Sequence, residues 1–287
     1  MSKKMSKYLI FSDIDNTLIQ SYILKNGEIY HTEEYGEIKT IIKKIRDNNI
    51  PLILCSTKTR VEQEKIRKYL EINDPFIVEN GGAIIIPENY FPIDLEELGL
   101  SIKRINNNLI IELGKSYNGL VEILREIRET FYIKFIAVHD LSIKELAQKV
   151  GISIDNAKLM ASREYSETII EINNNELYKL KKILKDKGLR ILEGTRYNTI
   201  SSLHDKGSAI SILKKLYAIK FQQEKIESIG IGDATNDIPM FENVDKAFLV
   251  RNIHNDYACM EINNLTRVNG IAHTGWKEII LNHVFTR

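Results

Sequence analysis

Two aspartates, separated by a single residue, follow the first apolar run of the chain. The run extends from Tyr8 to Phe11, and the acids are Asp13 and Asp15. Because side chains alternate along a strand, both carboxylates project to one side, at the rim of a sheet where the strand ends. Neighbouring acids repel each other, so the pair requires a cation or a retained proton. This pattern suits phosphoryl transfer, with one carboxylate as nucleophile and the other as proton donor, although an Asx-type turn would give the same spacing without chemistry.

A second apolar run, far downstream, also ends in acids. It extends from Ser228 to Gly232, and Asp233 and Asp237 follow it. A glycine permits a tight turn at a strand end. Carboxylate oxygens are hard ligands that suit Mg²⁺ rather than zinc, and the histidines show no pair at the helical spacing of a zinc site. We therefore expect Mg²⁺ as the cofactor.

Two further segments complete an ordered set of four. A run from Pro51 to Cys55 ends in the hydroxyls of Ser56 and Thr57, and Lys206 stands at the start of a predicted helix. With these four motifs in this order, the chain resembles the haloacid dehalogenase-like hydrolases. The resemblance implies an α/β fold: a doubly wound parallel-sheet, Rossmann-like hydrolase core with an inserted α+β cap domain.

The resemblance also implies roles for the acids. Asp13 would attack phosphorus to give an aspartyl-phosphate, and Asp15 would be the general acid and then the base for water. An acid two residues after the nucleophile is the pattern of the phosphatases in this family. Mg²⁺ would be held by the carboxylates of Asp13 and Asp233 and the backbone carbonyl of Asp15, with Asp237 joining directly or through water.

Three polar residues complete the predicted catalytic set. Ser56 would donate a hydrogen bond to a phosphoryl oxygen, with Thr57 as the alternative if the register differs by one residue. Lys206 would place a positive charge on the same oxygens. Asn236 would orient Lys206 or Asp13. Each has a structural alternative, since a serine can cap a helix and a lysine can lie solvated at a helix start.

The elements that must position these residues alternate between strand and helix. One predicted helix, 34–48, carries isoleucines at positions 38, 41, 42 and 45, which form a single apolar stripe. Short strands alternating with such helices predict right-handed crossovers and a parallel sheet, in which ligands bind beyond the carboxyl ends of the strands. The acids and hydroxyls of the motifs all fall at those ends.

The pattern changes between residues 88 and 202, where strands and helices suggest an α+β insert. Its position between the second and third motifs resembles the placement of the C2-type cap in this family. We therefore predict a core at 1–87 and 203–287 and a cap at 88–202, joined by two crossings suited to hinge closure over a substrate.

Segments in the variable parts suggest a narrower resemblance. Residues 56–64, 75–84, 162–167 and 193–197 look like those of the mannosyl-3-phosphoglycerate phosphatases, which yield mannosylglycerate, a compatible solute. The predicted partner is therefore a small phosphorylated glycoside. The predicted substrate-binding residues, with Arg163 the first choice for a glycerate carboxylate, are Lys58, Arg60, Arg163, Glu164, Glu167 and Arg196. The family more often has Gly-Gly-Arg-Phe around Arg196, which leaves the role of that residue open.

Other functions stay open at this point. A broad sugar-phosphate phosphatase, a sucrose-phosphate-like phosphatase or a phosphomutase would use the same core motifs. A non-catalytic binding protein with this fold would not require Asp13, Asp15, Lys206 and Asp233 to be intact. Sequence alone does not separate mannosyl from glucosyl substrates and gives no oligomeric state.

Composition limits the partners. The 40 lysines and arginines nearly balance 39 acids, so the net charge of +1 gives no field that attracts nucleic acid or an anionic membrane. No run approaches the ~20 apolar residues that cross a bilayer, and the polar start of the chain leads directly into a strand. The expected location is the cytoplasm, with neither nucleic acid nor membrane as a partner.

Overall fold

The computed structural model describes residues 7–19, 33–193, 197–222, 225–252 and 254–285. Its core is a parallel five-stranded sheet in the order β13-β12-β11-β1-β2. The strands are β1 (Lys7–Ser12), β2 (Leu52–Leu54), β11 (Ile226–Gly232), β12 (Lys246–Arg251) and β13 (Leu265–Ile271). The central strands β1 and β11 lie side by side, which brings the two acidic motifs to one edge of the sheet. The predicted fold class is confirmed.

Beyond β2, a bridge between Cys55 and Ile77 links the sheet to antiparallel strands in the order β3-β4-β6-β5. These are β3 (Phe76–Val78), β4 (Ala83–Pro87), β5 (Lys103–Ile105) and β6 (Asn108–Glu112). Strand β6 pairs along the whole of β4, although it lies inside the predicted cap range of 88–202. The domain boundaries stay a prediction, and this pairing favours a core that extends to the end of β6.

Helices cover both faces of the core sheet. They are α1 (Glu33–Asp47), α2 (Arg60–Leu70), α7 (Lys206–Lys220), α8 (Ile238–Phe241) and α9 (His273–Ile279), the last continuing as a π-helix over Ile280–Val284. One hydrophobic cluster contains the isoleucine stripe of α1 and Trp276 of α9, and a second contains Leu213 and Leu216 of α7. Burial on both faces explains the continuous apolar sequence of the central strands.

A separate antiparallel sheet, called the cap sheet, has the order β7-β8-β10-β9. It consists of β7 (Phe135–Ala137), β8 (Ser166–Ile172), β9 (Leu189–Glu193) and β10 (Asn198–Ser202). Helices α3 (Tyr117–Phe131) and α6 (Asn174–Asp186) share one hydrophobic cluster with it. Helices α4 (Ile143–Val150) and α5 (Ile154–Ala161) form a second cluster with Ile170 of β8.

The sequence patterns did not predict α5 or β13. Strand β13 carries three exposed residues among its seven, so it lacks the apolar run that marked the central strands. Across the described ranges, no helix is both long enough and apolar enough to cross a bilayer.

Candidate active site

Asp13 and Asp15 lie at the carboxyl end of β1, in a loop that folds back on itself. The Asp13 amide still follows the sheet and donates to the Ile231 carbonyl at 2.9 Å. Asn16 then adopts a left-handed conformation, with φ of 56°, which asparagine tolerates better than most residues. The turn brings the Thr17 hydroxyl to 3.2 Å from Asp233 Oδ1. Thr17 therefore ties the first acidic motif to the last.

Lys206 is completely buried between two acids. Its Nζ donates to Asp13 Oδ1 at 2.7 Å and to Asp237 Oδ1 at 2.6 Å. Burial alone would lower the pKa of this lysine, but the charges of Asp13 and Asp237 raise it well above its ordinary value. Lys206 is the first residue of α7, whose N-cap is Asp205, so the capped helix start fixes the ammonium at the site.

Three buried carboxylates converge beside this lysine. Ligand oxygens of Asp13, Asp233 and Asp237 lie within 4.8 Å of one another. The pKa of Asp13 is raised to about 7, above all by burial, against which Lys206 lowers it and Asp237 and Asp15 raise it further. Burial and the charges of Asp13 and Asp237 also raise the pKa of Asp233. One lysine does not neutralise three acids, so this oxygen-only donor set fits a divalent cation such as Mg²⁺.

Asp237 differs from the other two acids because both of its oxygens are occupied. Oδ1 accepts from Lys206, and Oδ2 accepts from the amides of Asp233 and Ala234 at 3.0 and 3.1 Å. A Cβ at position 232 would lie 2.3 Å from Asp237 Oδ2, which explains the glycine there. Asp237 thus shapes the loop that presents Asp233, an arrangement suited to contact with a metal through water.

Ser56 and Lys58 lie in the loop after β2. Ser56 is buried, and Lys58 Nζ is 3.0 Å from Asp15 Oδ2. Burial lowers the pKa of Lys58, but the charges of Asp15 and Glu62 outweigh it and raise that pKa overall. The sequence suggested Lys58 as a contact for the substrate. In the structure its ammonium forms an ion pair with Asp15, the second acid of the first motif.

Asn236 was expected to orient Lys206 or Asp13. Its Nδ2 donates instead to Asn80 Oδ1 at 3.3 Å, and the Asn80 amide donates to the Ser56 carbonyl at 2.9 Å. Asn80 therefore joins the loop of the last motif to the loop of the second.

Arg60 and Glu164, two predicted substrate-binding residues, bind each other across the junction between core and cap. Arg60 Nε and Nη2 donate to the two Glu164 carboxylate oxygens at 2.9 and 3.2 Å. Beside them, the Thr59 hydroxyl donates to the Leu159 carbonyl of α5 at 3.0 Å. The start of α2 is thus in direct contact with the cap.

The side chain of Arg163 lies at the same junction and is 7% exposed. Its Nη1 donates to Ser166 Oγ at 2.8 Å and lies 3.9 Å from Glu79 Oε2. Its Nε is buried and has no hydrogen-bond partner among the described residues. The predicted contact between Arg163 and a substrate carboxylate stays a prediction.

Glu167 and Arg196 complete the predicted substrate-binding set. Glu167 is fully buried and accepts from the Tyr117 hydroxyl at 3.0 Å, with His139 Nδ1 2.7 Å away. Neither of its carboxylate oxygens is exposed in this arrangement. The role of Glu167 as an acceptor for a sugar hydroxyl stays a prediction. Arg196 lies outside the described residues.

Sequence reasoning gave no role to several residues that the structure brings to the site. Thr17 belongs to the first motif, so its position was a usable signal. Glu79 and Asn80 stand in a turn-like segment whose composition indicates only a loop. Trp276 donates from α9 to Ser12 Oγ at 3.0 Å, and no local pattern links residues so far apart in the chain.

Comparisons with known proteins agree with this geometry. The profile of the haloacid dehalogenase-like hydrolases matches residues 10–273. A glucosyl-3-phosphoglycerate/mannosyl-3-phosphoglycerate phosphatase of Methanococcoides burtonii is 33% identical over 278 residues, covering 96% of this chain and 97% of that protein. A mannosyl-3-phosphoglycerate phosphatase of Pyrococcus horikoshii is 38% identical over 243 residues, covering 84% and 90%.

Solved structures share the fold at low sequence identity. A Thermoplasma acidophilum protein gives a TM-score of 0.61 at 17% identity, covering 97% of this chain and 98% of its own. The sucrose-phosphatase of Synechocystis sp. PCC6803 gives 0.57 at 14% identity, covering 99% and 100%. At these identities the likeness supports the architecture of core and cap and says nothing about the substrate.

Proposed function

This chain belongs to the haloacid dehalogenase-like hydrolases and is a phosphoric monoester hydrolase, and we propose that its substrate is mannosyl-3-phosphoglycerate. The products would be mannosylglycerate and inorganic phosphate. The observation that carries the substrate proposal is the identity of 33% and 38% to phosphatases named for this ester, over most of both chains. The glucosyl ester is the second candidate, because the printed name of the Methanococcoides relative includes it.

In the proposed mechanism, Asp13 is the nucleophile. Lys206 occupies Oδ1, and Oδ2 has no hydrogen-bond partner among the described residues, so Oδ2 is the oxygen that attacks phosphorus. The new bond joins Oδ2 to phosphorus as the bond from phosphorus to the glycerate oxygen breaks. Lys206 favours the ionised form of Asp13 that this attack requires.

Asp15 moves the proton in both steps. It donates a proton to the departing glycerate oxygen and then accepts one from the water that attacks the aspartyl-phosphate. That second attack releases inorganic phosphate and restores Asp13. Lys58, 3.0 Å from Asp15 Oδ2, fixes the orientation of this carboxylate. Ser56 and Lys206 would donate to phosphoryl oxygens throughout.

The proposed cofactor is Mg²⁺, held by Asp13, Asp233 and the Asp15 carbonyl, with Asp237 behind them. When bound it supplies positive charge that screens the nucleophile from the phosphate dianion and offsets charge on the transferring group. Burial is the first cause of the raised pKa of Asp13 and of Asp233, which means that their charged forms are costly without a nearby cation. This cost supports the assignment of Mg²⁺.

Recognition of the glycerate carboxylate is assigned to Arg163, whose buried Nε lacks a partner within the described ranges. The test is phosphate release, with Mg²⁺ present, from the mannosyl and glucosyl esters, sucrose phosphate and para-nitrophenyl phosphate. Arg163→Ala should lower kcat/KM for the glyceryl ester about tenfold or more, as expected for loss of a charged hydrogen bond of ~1.5–3 kcal/mol.

The same variant should leave para-nitrophenyl phosphate hydrolysis nearly unchanged, because that ester carries no carboxylate for Arg163. Arg104→Ala, which removes an exposed ion pair with Glu96, is the matched control and should affect neither substrate. Equal loss on both esters, or equal turnover of all sugar phosphates by the unchanged protein, would favour a broad sugar-phosphate phosphatase.

A further inference from the structure

Glu79 follows β3 and is buried where the core meets the cap. Its backbone belongs to the core: the amide donates to the Lys58 carbonyl at 3.1 Å, and the carbonyl oxygen is 3.2 Å from His204 Nε2. Its side chain has no exposed surface. A charged group in this position requires partners, and the cap supplies them.

The carboxylate of Glu79 accepts three hydrogen bonds from consecutive cap residues. The donors are the amides of Glu164 and Tyr165, at 2.8 and 3.2 Å, and the hydroxyl of Ser166, at 2.5 Å. Arg163 adds a cation 3.9 Å away. One core side chain therefore holds a four-residue stretch, Arg163–Ser166, that we call the cap segment.

The backbone beneath this contact is conformationally demanding. Glu79 and Asn80 have φ values of 47° and 58°, so two successive residues other than glycine lie in the left-handed region. Such conformations persist only where surrounding contacts require them. At position 82 a Cβ would come within 2.5 Å of Tyr165 Cβ, so the cap segment approaches this loop as closely as a glycine allows.

The same loop also reaches the catalytic side. Asn80 donates from its amide to the Ser56 carbonyl at 2.9 Å and accepts from Asn236 at 3.3 Å. The loop thus contacts two predicted catalytic residues through Asn80 and the cap segment through Glu79. Among the hydrogen bonds between described residues, Glu79 is the core side chain that binds three successive residues of the cap segment.

We propose that Glu79 is a positioning residue that fixes the cap segment against the phosphate-binding loop and thereby aligns Arg163 with a carboxylate on the substrate. The fixed amides determine where the Arg163 backbone lies, and the nearby Glu79 charge keeps the guanidinium in the junction. The positioning of the segment stands on the contacts alone, whereas the alignment with a carboxylate rests on the function proposed above.

The test is Glu79→Gln, which keeps the size of the side chain but removes its charge and places an NH₂ group against donors. The amides of Glu164 and Tyr165 bind different oxygens of Glu79, and glutamine keeps only one acceptor oxygen. Hydrogen exchange at the amide that then faces the NH₂ group should become at least about tenfold faster, because that amide loses its acceptor. KM for mannosyl-3-phosphoglycerate should rise at least about fivefold through loss of ground-state alignment, while para-nitrophenyl phosphate turnover stays within about twofold.

The matched control is Asp74→Asn, which also removes a partly buried carboxylate. Asp74 accepts from the Leu52 amide at 3.0 Å, at the amino-terminal ends of the strands and away from the cap. This variant should leave exchange in the cap segment and KM unchanged. If Glu79→Gln fails to fold, Ser166→Ala removes one donor from the cap side and should raise exchange and KM in the same direction, at least about threefold.

Unchanged exchange in the cap segment would overturn the proposal, as would an unchanged KM despite faster exchange or an equal loss on both esters. If the unchanged protein hydrolyses para-nitrophenyl phosphate but neither glycosyl phosphoglycerate, the proposed substrate is wrong, and the role of Glu79 is not decided by that result. The exchange measurement, which needs no substrate, then still decides whether Glu79 positions the cap segment.

Discussion

At Asp13, one carboxylate oxygen is bound to Lys206 and the other has no described hydrogen-bond partner. Asp13→Asn keeps the shape of this side chain but removes the attacking charge, so turnover should fall by about three orders of magnitude or more. Lys206 retains Asp237 as a partner, at 2.6 Å, and the fold should persist. Phosphate-release assays and mass spectrometry for a phosphorylated Asp13 peptide measure the effect. Near-native turnover would exclude Asp13 as the nucleophile.

His204 gives a separate prediction about acid stability. Its Nδ1 lies 3.0 Å from Ser202 Oγ and its Nε2 3.2 Å from the Glu79 carbonyl. Burial lowers its pKa from 6.5 to about 4, with the charge of Arg190 lowering it as well, while the Glu79 hydrogen bond and Asp205 raise it. Between these values the unfolded chain binds more protons than the folded one. The contribution of His204 to the free energy of unfolding is therefore lost as pH falls from 6.5 to 4.

The size of that loss follows from the shift, at 1.36 kcal/mol per pKa unit, and is about 3 kcal/mol at most. His204→Gln keeps a donor for the Glu79 carbonyl but does not titrate, so its free energy of unfolding should fall less over this range. Urea unfolding between pH 4.5 and 7, with His254→Gln at an exposed position as control, measures the difference. Parallel pH profiles for His204→Gln and the unchanged protein would contradict the assignment.

At the scale of elements, the site depends on strand ends and on a helix start that meets the cap. Thr59 is the N-cap of α2: its Oγ1 accepts from the Glu62 amide, and its own amide donates to Glu62. The same hydroxyl donates to the Leu159 carbonyl of α5. A local capping box, which is legible in sequence, therefore also serves as a contact between core and cap.

Gly82 supplies the prediction at this scale. A methyl group there would overlap Tyr165, so Gly82→Ala should push the cap segment away or destabilise the protein by about 1–3 kcal/mol. Gly36→Ala in α1 is the matched control, because a Cβ there meets nothing within 4 Å and alanine favours a helix by about 0.4–1 kcal/mol. Thermal unfolding of both variants gives the comparison. Equal, small effects would mean that the approach of Tyr165 to Gly82 is not a tight contact.

For the whole molecule, the unbalanced acids connect metal binding to stability. Mg²⁺ that binds only the folded protein stabilises it by about 2.7 kcal/mol at 100 times its Kd. In a protein of this size we expect a rise in Tm of roughly 5 °C, reversed by EDTA together with activity. Asp233→Ala should abolish the shift, since it removes a carboxylate whose Oδ2 has no hydrogen-bond partner among the described residues.

Asp74→Asn, which removes an acid distant from the cluster, is the control and should keep the full Mg²⁺ shift. In Asp237→Ala the shift should be reduced but present, because both oxygens of Asp237 are already bound within the protein. Full activity in EDTA, or an undiminished shift in Asp233→Ala, would contradict the metal assignment.

The parallel core and the four motif segments could be predicted from local sequence patterns. Continuous apolar runs and the isoleucine stripe of α1 are local properties, and strand ends meet at one edge in any parallel sheet. Those rules were enough to predict that Asp13, Ser56 and Asp233 belong to one site, whereas Lys206, at a helix start, was assigned to it by the family resemblance. They did not identify β13, because three of its seven residues are exposed and it lacks the apolar run that marks the central strands.

The contacts between segments distant in the chain could not be predicted in this way and follow from the tertiary packing. Arg60 with Glu164, Lys58 with Asp15, and Glu79 with the cap segment each join groups whose types would equally suit a solvated surface. A pairing of this kind depends on where the cap docks, and side-chain periodicity carries no information about that placement. The catalytic acids could be read from the sequence because strand geometry fixes them locally, whereas the residues that align the substrate are fixed by the packing of one unit on another.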